Sequence, residues 1–138
     1  MVQLRWSSPG ATLSNELPRP TGRIGPYREI TFRAVVDLSD AHNADAAEVP
    51  MHVVLTDGAG RKHAVRTSDY GQELTSPELL TFAHDGAGHD LPVLRLLLEQ
   101  IRVPLSAFDV RLQDVRSVSL VFDGARGAVD VSDLAFSN

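Results

Sequence analysis

The side chains of this chain that could do chemistry are its histidines, a few aromatics outside obvious core positions, and a set of arginines on predicted strands. His84-Asp85-Gly86-Ala87-Gly88-His89-Asp90 repeats a His-Asp pair, and imidazole with carboxylate is a donor set that zinc accepts. No helix holds these groups on one face, and Gly86 and Gly88 loosen the segment, so solvated side chains are the simpler reading. His52 and His63 fall on neighbouring strands of an expected hairpin and are placed to face each other. Serine, histidine and aspartate are all present, yet no Gly-x-Ser-x-Gly elbow marks a nucleophile and there is no cysteine. The domain itself is therefore read as non-catalytic.

Binding chemistry has better candidates. An aromatic ring offers a flat apolar face to the C–H groups of a sugar. Tyr70, in the turn-like Ser68-Asp69-Tyr70-Gly71, is the best candidate for an exposed platform. Tyr27 precedes a strand and is placed to pack on a sheet end; Trp6 reads first as a core or interface ring and second as a platform. Arg33, Arg66 and Arg102 lie on strands, with Arg95 near, and are read as one basic outward face. Paired guanidinium N–H groups would hold acidic sugars or carboxylates there. The plainer reading is a solvated face with cross-strand ion pairs.

These side chains need strands to position them. Val118, Leu120 and Phe122 alternate with polar neighbours, as do Ile30, Phe32, Ala34 and Val36, and Met51, Val53 and Leu55. Asp57-Gly58-Ala59-Gly60 predicts a tight hairpin turn into a strand from Lys62 to Thr67. Weak strands are expected around Leu4–Trp6 and Ala11–Ser14, loops over Pro18–Pro26 and Asp40–Pro50, and irregular chain over Ser68–Pro92. Leu94 to Val103 is expected as one long strand, followed by short turns near Leu105–Phe108 and Leu112–Val115. Two strands joined at Asp123–Gly127 close the chain. About eight strands with almost no helix predict an all-β, antiparallel two-sheet β-sandwich of the jelly-roll kind.

Composition sets the outer limits. The 138 residues are read as a single domain, 1–138, long enough to bury its own core. A net charge of -5 argues against a grip on nucleic acid or an anionic membrane, and no apolar run approaches a membrane span. The first residues lack the basic head and apolar stretch of a signal peptide, which leaves two readings: a natural chain that has lost one, or a piece excised from a longer protein.

Three pieces of sequence resemble a known family. They are Arg102-Val103-Pro104-Leu105-Ser106-Ala107-Phe108; Leu112 with Asp114-Val115-Arg116-Ser117-Val118; and the Gly-bounded hairpin that ends Val131-Ser132-Asp133-Leu134-Ala135-Phe136. Together they resemble the end of galactose-binding-domain-like jelly rolls, found as carbohydrate-binding modules and as accessory domains of secreted actinobacterial hydrolases. The resemblance implies a non-catalytic accessory domain of an extracellular bacterial hydrolase, with a polysaccharide or glycan as partner. Its alternative is a structural domain that packs on a catalytic domain of esterase or lipase type, with Val2, Leu4 and Trp6 at the contact. The family often carries a structural calcium, and the matching positions are Asn15, Glu16 and Asp133.

Overall fold

The computed structural model describes the whole chain except residues 18–23, 38–39, 42–47, 73, 76–78, 85–89 and 95–98. Among the described residues the order is β1 (Val2–Trp6), β2 (Ala11–Glu16), β3 (Glu29–Val36), β4 (Glu48–Val49), β5 (Met51–Asp57) and β6 (Lys62–Arg66), then β7 (Leu74–Thr75), β8 (Leu79–His84), β9 (Asp90–Leu94), β10 (Glu99–Pro104), β11 (Val115–Phe122) and β12 (Gly127–Ser137). Short 3-10 turns cover Thr67–Tyr70, Leu105–Ala107 and Leu112–Asp114. Two four-stranded antiparallel sheets face each other, in the orders β1-β12-β3-β10 and β2-β11-β5-β6. The chain is thus an all-β sandwich of jelly-roll type, as its alternating apolar positions require. We call these the front sheet and the back sheet respectively.

The core is what the alternation predicts. Ile30, Phe32, Ala34 and Val36 of β3 meet Met51, Val53 and Leu55 of β5 and Val118, Leu120 and Phe122 of β11, all buried. Burying the Val, Leu, Ile, Phe and Met side chains among them stabilises the fold by roughly 1.5–3 kcal/mol each. Trp6 belongs to the same core: it is 6% exposed and its ring stacks on Phe122 with centroids 4.8 Å apart. Its indole N–H donates to the Gly124 carbonyl at 3.0 Å, so the one polar atom of the ring is satisfied. Gly127 stands opposite Trp6 in the ladder, and a Cβ there would lie 2.7 Å from the ring's Cη2. Trp6 is therefore an internal ring and not a sugar platform; it is held inside by Phe122 and by the missing side chain at Gly127.

Two expectations need correction. Leu94 to Val103 is not one strand: β9 ends at Leu94 paired with β8, whereas β10 starts at Glu99 paired with β3. The chain must leave one sheet and enter another, which a continuous ladder cannot do; Leu96 and Leu98 lie outside the described residues. Nor is Ser68–Pro92 uniformly irregular. It holds the Thr67–Tyr70 turn, β7 on β4, and the hairpin of β8 and β9 with a register shift between Thr81 and Ala83. Its glycines and histidines hid the strand-forming run Leu79-Leu80-Thr81-Phe82.

Candidate functional site

Because Val118, Leu120 and Phe122 point inward, Ser117, Ser119 and Val121 must point out of the back sheet. Register places them in three rows across four strands. Thr12, Val121, His52 and Arg66 form one row; Ser14, Ser119, Val54 and Ala64 the next; Glu16, Ser117, Thr56 and Lys62 the third. The middle row has only short side chains, and the sheet carries a depression of about 300 Å³ there. Ser119 and Val54 lie at its floor: they point outward, yet each is only 8% exposed. Ser14 and Ser119 hydroxyls share a hydrogen bond of 2.7 Å, which uses the proton of one hydroxyl, leaves the O–H of the other to donate, and leaves acceptor capacity on both. Val54 and Val121 supply apolar floor, Glu16 and Lys62 opposite charges at one side.

The row on the other side is held by a chain of polar contacts. Asp123 pairs with Nδ1 of His52, and Arg66 Nε donates to Nε2 of His52 at 3.3 Å. Arg Nε always carries hydrogen, so Nε2 is the acceptor and Nδ1 carries the proton toward Asp123. His63 is on the opposite face of the same hairpin. It stands across from inward-pointing Leu55, and its Nε2 lies 3.2 Å from Asp57. His52 and His63 thus do not face each other: the register sets His52 against Arg66, and the alternation of β6 puts His63 on the other side.

The three strand arginines divide between two faces. Arg66 is on the back sheet, while Arg33 and Arg102 are on β3 and β10 of the front sheet. They do not form one basic face, because each sheet turns its outer side away from the other. Arg102 pairs with Glu29 at 3.2 Å and Arg33 reaches Asp133 at 3.8 Å, so both stand beside carboxylates on an exposed face. Gln100, Thr31 and Ala135 complete a shallow depression with Arg33 and Asp133. Tyr27 sits at the end of this sheet, 40% exposed and tilted against Phe136 at 6.1 Å. Tyr70 is 44% exposed in the 3-10 turn that follows β6, where the turn meets β5, β6 and β10. Gln72, just beyond it, accepts the Arg102 backbone N–H at 3.0 Å and so covers part of the edge of β10.

Calcium requires six to eight oxygens converging on one point. Asn15, Glu16 and Asp133 do not converge. Asn15 borders an apolar cavity with Leu134 and Phe136, Glu16 borders the back-sheet groove, and Asp133 borders the front-sheet depression. Asp133 sits in a bulge of β12 with φ +56°, turned toward Arg33. These three residues do not fit a calcium ion, and no group of three or more His, Asp or Glu with metal-ligand geometry exists among the described residues. Of the His-Asp repeat, residues 85–89 lie outside the described residues, as does Arg95.

Sequence reasoning missed the hydroxyl floor and the Asp123–His52–Arg66 chain. The signal was present in Ser117-x-Ser119 and Thr12-x-Ser14, two alternating hydroxyl strands, but it needs the register to bring them side by side.

No family model matches the chain, and no curated protein matches it in sequence. Among solved structures the chain is similar to the family 11 carbohydrate-binding module of the cellulosomal cellulase Lic26A-Cel5E of Clostridium thermocellum, with a TM-score of 0.59. Identity is 11%, over 99% of this chain and 73% of that one. This likeness extends along the whole sandwich and establishes the shared fold. No helix among the described residues is long and apolar enough to cross a membrane.

Proposed function

We propose that this chain is a non-catalytic carbohydrate-binding domain, an accessory part of an extracellular hydrolase, and that it holds a glycan chain in the groove of the back sheet. The observation that carries this reading is the floor at Ser119 and Val54, outward-pointing but 8% exposed, ringed by the hydroxyls of Thr12, Ser14, Thr56 and Ser117. Hydroxyls that both donate and accept, interleaved with aliphatic patches, match the surface of a neutral sugar. The shared fold with a carbohydrate-binding module supports it. Of the aromatics and arginines singled out in the sequence, Arg66 belongs to the groove's edge row and Tyr70 to the turn that leaves it.

The test is retention by soluble polysaccharides. Ser14→Arg, at an exposed position on edge strand β2, fills the groove without touching the core. Wild type is expected to be retained and this variant released.

A second reading has its own support. Val2 is 46% exposed on β1, the edge strand of the front sheet, an apolar side chain beside an edge that a catalytic domain could cover. Retention by no polysaccharide, together with protection of this edge in a longer chain, would favour it.

A further inference from the structure

A separate depression of about 360 Å³ opens at one end of the sandwich. Asp57, Arg61 and His63 form one wall, from the turn between β5 and β6. Asp109, Arg111 and Asp114 form the other, from the segment between β10 and β11. At its base lies the Asp57 carboxylate, only 3% exposed. Oδ1 accepts the backbone N–H groups of Ala59 at 2.9 Å and Arg61 at 3.0 Å. Oδ2 accepts Arg61 Nε at 3.0 Å and faces His63 Nε2 at 3.2 Å. Burial alone would raise the Asp57 carboxyl. The contact with His63, the two backbone donors and the charge of Arg61 outweigh it and lower the pKa to about 2.

An ionised Asp57 is acceptor-only, so His63 donates through Nε2 and its tautomer and ring plane are set. Arg61 donates through Nε to the same carboxylate, while most of its side chain stays exposed at the rim of the depression. Asp57 therefore acts as a buried anchor that orients two polar side chains in the wall. Among the described residues three carboxylates and two guanidiniums line the space, so neither an anion nor a cation finds there a wall of one opposite sign. A group with adjacent hydroxyls, each donating and accepting, meets both kinds of wall. Val110 adds a patch for C–H contact. The volume lies at the small end of ligand sites, suited to one sugar unit.

We infer that this end pocket is a second carbohydrate site, one that takes a single sugar residue such as a chain end, while the groove takes the chain itself. The inference rests on the reading of this domain as a glycan binder, but its test separates the two sites.

The 15N-labelled protein is titrated with glucose, galactose, mannose, xylose and arabinose, and amide shifts of Ala59, Arg61, Asp109 and Arg111 are followed. One of these sugars is expected to move them saturably. A combined Asp109→Ala and Arg111→Ala variant should weaken that binding at least tenfold and leave polysaccharide retention unchanged; Ser14→Arg should do the reverse. Arg111→Gln alone carries the same test if the double variant loses its fold. The pocket is overturned if no sugar moves these amides up to its solubility limit, if shifts appear only in the groove, or if the pocket variants bind unchanged. Small-sugar binding without polymer retention would sink the groove and keep the pocket.

Discussion

Asp114 occupies the place that a side chain at Gly58 would need. The Gly58 N–H donates to the Asp114 carbonyl at 2.9 Å, and a Cβ on Gly58 would stand 2.6 Å from Asp114 Oδ1. This contact ties the β5–β6 turn to the segment entering β11, and so joins the two walls of the end pocket. What a Cβ at Gly58 would meet is the end of the partly exposed Asp114 side chain, and the φ of Gly58 is not in the left-handed range that Gly60 uses at +82°.

Gly58→Ala should therefore destabilise the domain by less than about 1 kcal/mol, the cost of turning the exposed Asp114 carboxylate away from its place beside Arg116. In an Asp114→Ala background most of that cost should vanish, because the clashing carboxylate is gone. Urea denaturation of the four proteins of the cycle measures this. An equal cost in both backgrounds would show that the close approach is not what demands glycine.

Gly127→Ala should cost about 2 kcal/mol by the same physics, now against a rigid buried ring that cannot swing aside. Thermal melts give the loss, and the Trp6 emission maximum reports whether the indole has been pushed toward water. An unchanged Tm with unchanged emission would remove Trp6 from the core as described.

Acid stability should carry the signature of Asp57. Its pKa falls from the ordinary 3.8 to about 2 in the folded chain. The native state thus holds its proton less tightly than the unfolded state. The stabilisation is fully present above pH 3.8 and drains away as pH falls through about 2. In Asp57→Asn the part of the slope due to this group disappears. Denaturation midpoints between pH 5 and pH 2 decide it, and parallel slopes in both proteins would contradict the assignment.

The arginines should separate in a binding assay. Arg66→Ala removes the donor to His52 and opens the edge row of the groove, so glycan retention should weaken several-fold. Arg33→Ala and Arg102→Ala act on the other face and should leave retention unchanged, each costing less than about 1 kcal/mol as surface ion pairs. Tyr70→Ala is expected to weaken retention less than Arg66→Ala. Loss of binding in Arg33→Ala instead would move the site to the front sheet.

Much of the fold was legible because period-two alternation does not depend on partners. Val118-x-Leu120-x-Phe122 and Ile30-x-Phe32-x-Ala34 give their faces away from local sequence alone, and Asp57-Gly58-Ala59-Gly60 announces its turn. What local pattern cannot carry is which strand lies beside which. Ser14 and Ser119 are 105 residues apart and meet only through the register of β2 on β11. Arg33 and Arg66 have the same local context and fall on opposite faces, because β3 and β6 belong to different sheets. Asp57 was hidden for another reason: its role as turn anchor and its contact with His63 both require the folded hairpin.

The most direct test of the account is affinity electrophoresis of the folded domain in gels containing β-glucan, xyloglucan, xylan or galactomannan. The groove reading predicts retarded migration of wild type in at least one polysaccharide and normal migration of Ser14→Arg in the same gel. Unretarded migration of wild type in all of them, or equal retardation of Ser14→Arg, would contradict it.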